Sequence, residues 1–440
     1  MTPGVLAHGI GGRQDLPIPF QDALAGAVVA LLATFVILAF AWRSSRLRGD
    51  ERGWALPGWL AGFLDAPAFR WSLRVLGLLA SGWIVIALVA GPRTAADNPA
   101  PGALYVLLWV CVPLLSLLVG PVWRAVNPLR TLHLLLARLG GRDPADGVAT
   151  LPERLGYWPG AVLLAIFVWL ELVPGDRASL PVVGLAIATY ALVMLVGATV
   201  FGSGWFDRAD PFEVYSTLAA RLAPVGRRRD GALVLRNPLD GLDATPARPG
   251  LAAVVLVLLG STAYDSLTGA PAWIRLEQQS TVPASLIGTA GLAGSIGVIS
   301  LAYVLAARAG GRIADGRDRL PALFAHSLLP IALGYVIAHY FSLAVIQGQR
   351  TVILAGDPLG TGDNLFGLGT ADVSYGLVAP TAMATLQVVA VVTGHVVGAI
   401  AAHDRAVRLF PPETARWGQL PLLALMVVYT YLGLTLLFAA

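Results

Sequence analysis

The residues of this chain best placed to do chemistry are ionisable groups inside long apolar runs. Of its six histidines, His326, His339, His395 and His403 lie in or at the edge of such runs, as do the carboxylates Glu171 and Asp265. A charged side chain at the centre of a membrane helix costs roughly 2.5–3.5 kcal/mol on insertion scales, so those that occur are pointers to function. Glu171, Asp265 and His339 each come late in their runs. With His8 from the N-terminal tail they offer ligands through which a divalent metal could activate water. His326 and His395 form a second pair, suited to holding a haem between two helices or to relaying protons. His326 and His339 are about 20 Å apart along a helix at 1.5 Å per residue, too far to share one small ion. For each histidine the plain alternative is a hydrogen bond to a neighbouring helix.

Membrane helices must position these groups. The 440 residues are 56% hydrophobic and 13% charged, with a mean hydropathy of +0.72, which excludes an ordinary water-soluble domain. Runs long enough to cross a bilayer stand at 22–42, 71–91, 102–122, 159–174, 178–201, 250–268, 284–307, 320–347, 376–402 and 420–439. All 30 basic residues are arginine, and only Arg13, Arg93, Arg177, Arg275 and Arg350 lie away from the alternate loops 43–70, 123–156, 202–249, 308–319 and 402–419 and nearby helix ends. By the positive-inside rule those loops are cytosolic. The expectation is an all-α polytopic transmembrane helix bundle of about ten spans, a single domain over 1–440 with both termini outside. Arginine-only usage with abundant Ala, Gly, Leu and Val resembles a GC-rich bacterial bias, which places the chain in a bacterial plasma membrane with the lipid bilayer as its main partner. The first 21 residues lack the basic n-region of a cleavable signal peptide, and Arg43, Arg46, Arg48 and Arg52 follow the first run, so it reads as a retained span. The net charge of +4 is explained by these loops and gives no reason to expect nucleic acid.

Two cytosolic loops resemble each other. Trp123 precedes Asn127-Pro128 and a helix ending Ala-Arg-Leu at Leu139; Trp205 precedes Asp210-Pro211 and a helix ending Ala-Arg-Leu at Leu222. Asn or Asp as N-cap followed by Pro starts a helix, and the apolar spacing predicts an amphipathic helix on the cytosolic membrane surface in each loop. Arg227, Arg228 and Arg229 read as an orientation signal attracted to anionic lipid. Gly288, Gly291, Gly294 and Gly297 suggest a smooth ridge for helix packing. Pro330 predicts a kink between His326 and His339, and Tyr335, His339 and Ser342 share a face. Thr381, Thr385, His395, Ala399 and His403 form a polar stripe, with His403 at the boundary in a solvated or capping role. The extracytoplasmic loop 348–375 contains the acidic, glycine-rich stretch from Asp357 to Asp363, which reads as a turn without EF-hand spacing. Cys111 is alone, which excludes an intrachain disulfide. No P-loop, dinucleotide fingerprint, His-Glu-x-x-His or Gly-x-Ser-x-Gly occurs.

Several segments together carry a resemblance: His8-Gly-Ile-Gly-Gly-Arg13-Gln-Asp15-Leu-Pro, Asn127-Pro128, Asp210-Pro211, Arg236-Asn237-Pro238, the stretch from His326 to Gln347, and Gly394-His395 through His403-Asp404. The chain resembles bacterial, mainly actinobacterial, multi-pass proteins labelled fenitrothion hydrolase. That resemblance implies a membrane-bound hydrolase of organophosphate triesters acting on a lipophilic small molecule; it carries no catalytic residues with it. Topology supplies the candidates: His339, Asp265 and Glu171 as a catalytic group in the outer leaflet, the same three with His8 as ligands of a divalent metal, and His326 with His395 as cofactor-binding residues for haem. The alternatives are a transporter or redox protein centred on the histidines, and a structural or assembly subunit of a membrane complex.

Overall fold

The computed structural model describes residues 12–314 and 319–438. Among them ten helices are long and apolar enough to cross a membrane: Phe20–Ala41, Pro67–Ala90, Ala100–Val119, Glu153–Leu172, Leu180–Phe201, Leu251–Thr268, Ala284–Ile313, Leu320–Ala355, Pro380–Leu409 and Trp417–Leu437, here spans 1 to 10. The chain is a multi-pass helical membrane protein. Spans 7, 8 and 9 outrun their apolar cores by several residues, ending near Arg312, Ala355 and Arg408. Hydropathy marks the lipid-buried part of a helix, whereas backbone bonding continues wherever propensity allows. By its contacts the chain divides into two compact units, neither continuous in sequence: unit 1 is 1–49, 242–343 and 376–440, and unit 2 is 50–241 and 344–375.

Span 6 is the core helix of unit 1, with thirteen of its eighteen residues buried. Span 7 lies against it where a Cβ on Gly260 would meet the Ile296 backbone and Ser295 Oγ donates to the Gly260 carbonyl at 2.9 Å. The glycine ridge of span 7 is only partly a contact surface: Gly291 meets Trp273 and Tyr264, while Gly294 and Gly297 face open space. At 100° per residue, a three-residue step turns back by about 60° each time, so four such glycines spread around the helix. Spans 8 and 9 cross in backbone contact, with Gly394 against the Pro330 carbonyl, Gly398 against that of Ser327, and Gly334 against that of Ala390. The expected kink is a 3₁₀ turn, Ala325–Leu328. Pro330 has no N–H for the His326 carbonyl, which accepts from Leu329 instead.

Unit 2 holds spans 2 to 5. Span 2 leaves Leu76, Leu79, Ile86 and Val89 exposed, as a lipid-facing surface requires. Span 3 is π-helical over Ala103–Cys111. Pro113 follows it; a regular helix would drive that ring into the carbonyl of Trp109, four residues back, and a wider turn relieves the clash. Of the two matched loop helices, Pro128–Leu139 leaves Leu132, Leu135, Leu136 and Leu139 exposed, as an interfacial helix would. Pro211–Ala219 is instead enclosed by protein, with eight of its nine residues buried, so it is a short non-spanning helix inside unit 2. A small antiparallel sheet, β1 (Trp54–Ala55), β2 (Val225–Arg227) and β3 (Leu233–Leu235) in the order β1-β3-β2, ties the loops together. The arginines at its edge are paired: Arg227 with Asp65, Arg228 with Asp230, Arg229 with Glu51. The glycine-rich loop is a turn, in which the Asp357 carboxylate caps the backbone N–H groups of Thr361 and Gly362.

Candidate functional site

In unit 1 the clearest acid–base arrangement joins spans 6 and 8. Asp265 comes near the end of span 6 and is 5% exposed. Its Oδ2 lies 2.8 Å from His339 Nε2 and accepts from the Tyr340 hydroxyl, also at 2.8 Å. His339 and Tyr340 are consecutive on span 8, and their rings meet edge to face at 4.9 Å. A buried carboxylate needs donors to replace water, and here two converge on one oxygen. The arrangement is suited to holding, taking up or passing on a proton.

One turn before His339, Tyr335 begins an aromatic cluster. Its ring lies 6.0 Å from His395 of span 9 and 5.4 Å from Tyr429 of span 10. The Tyr335 hydroxyl donates to the Tyr429 carbonyl at 3.3 Å, and the Tyr429 hydroxyl to the Leu259 carbonyl at 3.0 Å. His395 Nδ1 lies 2.9 Å from the Val391 carbonyl, which assigns the hydrogen to that nitrogen. Its Nε2 is buried without a hydrogen-bond partner. Gly433 makes room for Tyr335: a Cβ there would fall on the hydroxyl. Gly433→Ala is therefore expected to displace Tyr335 and cost about 1–3 kcal/mol, with partial recovery when combined with Tyr335→Phe. Additive losses in thermal melts of the two single variants and the double variant would contradict this packing.

His326 is buried, with Nδ1 at 3.1 Å from the Leu323 carbonyl. The haem expected between His326 and His395 does not fit the helices that carry them. Spans 8 and 9 touch through glycine, and a porphyrin edge between them would need the backbones several ångströms farther apart.

The polar stripe ends in a fully buried lock. Asp404 Oδ1 accepts from Trp42 Nε1, Arg46 N and Leu47 N, and Oδ2 from Ser45 Oγ and Arg408. Arg405 and Arg408 both reach Asp243. His403, expected to be solvated or capping, is 2% exposed and sits between Gln419 Oε1 and the Trp42 carbonyl, each at 2.9 Å.

The expected outer group is only partly assembled. Asp265 and His339 meet; Glu171 belongs to unit 2, among aromatic residues; His8 lies outside the described residues. Among the described residues no three His, Cys, Asp or Glu side chains gather to hold a metal ion. The chain matches no family model, no curated protein and no solved structure.

Sequence reasoning missed two features. Tyr340 is one, hidden because adjacent helical positions are not normally on one face, although long side chains 100° apart can reach a common oxygen. The other is how the matched loops meet in unit 2. Asn127 Oδ1 caps its own helix at Leu129 and Arg130, while its Nδ2 donates to Asp210 Oδ2 at 2.8 Å. Asp210 Oδ1 caps Phe212 and Glu213; its Oδ2 also accepts from Tyr190 and Trp123. Glu213 accepts from Arg130 through both oxygens, at 2.6 and 3.1 Å. The duplicated Asn-Pro and Asp-Pro signals were the available clue.

Burial raises the pKa of both carboxylates, for Asp210 against the pull of its donors Tyr190, Trp123 and the backbone. For Glu213 burial, opposed by Arg130 and reinforced by Asp210, raises it from 4.5 to about 7. The folded chain thus holds the Glu213 proton more tightly than the unfolded chain. That contribution is complete below pH 4.5 and is lost as pH rises through 7. The thermal midpoint is expected to carry a downward component across this window that Glu213→Gln removes. Equal slopes in the two proteins would contradict it.

Proposed function

We propose that this protein is a proton-linked membrane transporter whose proton site is the Asp265–His339–Tyr340 cluster. The observation that carries this reading is a buried carboxylate on a membrane span, bonded through one oxygen to two titratable groups on another span. Such groups are costly at membrane depth and mark ion and proton paths. A proton taken up on Asp265 would remove its charge and weaken both bonds to span 8. Protonation then biases the relative placement of spans 6 and 8, which is the kind of two-state element that coupling requires. Buried polar atoms of Ser342 and Gln387 without hydrogen-bond partners, on spans 8 and 9, suit a unit with a polar interior. With the Arg-rich loops in the cytosol of a bacterial plasma membrane, the cluster faces the outer leaflet. The test is a pH jump on reconstituted protein adsorbed to a solid-supported membrane. A saturable transient charge movement is expected from the wild type and none from Asp265→Asn; no movement from the wild type removes the reading.

The same dyad favours a second reading, the organophosphate hydrolase implied by the resemblance. His339, oriented by Asp265, would take a proton from the water that attacks phosphorus while the ester P–O bond breaks and the aryloxide leaves, and Asp265 would stabilise the resulting imidazolium. Turnover of fenitrothion that resists chelator and disappears in His339→Ala would support it. Chelator-sensitive turnover would instead bring in a divalent metal with His8, and no turnover would end it.

A further inference from the structure

Unit 2 contains a second cluster that the proton site does not use. The π-helical part of span 3 carries Tyr105 and Trp109. Phe167 of span 4 lies tilted at 6.1 Å from Tyr105 and 4.9 Å from Trp109, and Trp109 lies 5.3 Å from Tyr215 of the enclosed helix Pro211–Ala219. Glu171, one helical turn beyond Phe167, acts electrostatically on Tyr105 and Tyr215 and adds to the rise that burial imposes on the Tyr215 hydroxyl. Trp109 Nε1 and the Tyr215 hydroxyl are 98–99% buried residues' polar ends with no hydrogen-bond partner.

We propose that Trp109, Tyr105, Phe167, Tyr215 and Glu171 form a binding site for a small organic ammonium compound that also carries an acceptor oxygen. Three features of the cluster select that chemistry. Aromatic faces attract a cation whose charge is spread over alkyl groups. The carboxylate supplies the opposite charge in a low-dielectric surrounding. The two buried donors each forfeit about 1–3 kcal/mol unless an acceptor reaches them, which an alkyl cation alone would not offer. The backbone agrees: π-helical turns recur at functional sites.

The test uses the full-length protein in detergent and three probes: choline, tetramethylammonium and 3,3-dimethyl-1-butanol, the uncharged isostere of choline. Calorimetric titration is expected to show saturable choline binding, weaker tetramethylammonium binding and none of the neutral alcohol. Glu171→Gln should weaken choline at least tenfold, and Trp109→Phe, which keeps a ring and removes the donor, several-fold. Both variants are checked for wild-type melting without ligand; a variant that fails is replaced by Tyr215→Phe, which removes the other donor. Equal binding of choline and its neutral isostere, or no saturable binding up to about 10 mM, overturns the proposal and leaves a structural, water-sized polar cluster. This readout is independent of the pH-jump current, so either result stands without the other.

Discussion

Asp404→Ala is expected to lower the thermal midpoint of the purified protein by about 5 °C or more. The carboxylate is fully buried and accepts five hydrogen bonds, four of them from Trp42 to Leu47, the segment that follows span 1. Removing it leaves two backbone N–H groups, an indole N–H and a hydroxyl without their acceptor, and Arg408 with Asp243 as its remaining carboxylate. Losing one partner of such a buried group costs about 3–5 kcal/mol. Asp404→Asn should lie between the two. Its oxygen can keep the bonds to Trp42, Arg46 and Leu47, while its amide turns donors toward Arg408. Melting followed by circular dichroism checks the order, and limited proteolysis at 42–47 locates the loosening. A midpoint for Asp404→Ala within error of the wild type would show that the donors find water instead.

The second large effect is expected at Asp265. Asp265→Asn should abolish the transient charge movement on a pH jump, because the amide cannot take up the proton while its size and most of its packing are kept. His339→Ala and Tyr340→Phe each remove one of two donors to the same oxygen and should leave a movement with a displaced pH midpoint. Losing a donor destabilises the ionised form, so both midpoints should shift upward. A wild-type current in Asp265→Asn would place the proton site elsewhere, and unshifted midpoints in the other two would reduce their role to packing. Circular dichroism melts of the same samples separate lost function from lost fold.

By itself the sequence determined that this is a multi-pass helical membrane protein of about ten spans, because apolar length and backbone satisfaction in lipid leave few alternatives. It also singled out Asp265 and His339, since ionisable groups are rare at that depth and stand out in any apolar run. What the sequence left undetermined is whether such groups meet. Helical periodicity says which face a residue occupies on its own helix, but not the rotation of one span against the next. Only the tertiary structure could decide that Asp265 meets His339 and Tyr340, that Glu171 sits among aromatics of unit 2, and that Asn127 donates to Asp210 where the two loop helices meet. The same holds for the glycines. Their spacing suggested a ridge on span 7, yet two of those four glycines face open space, while Gly394 and Gly398 on span 9 lie where the carbonyls of Pro330 and Ser327 leave no room for a side chain.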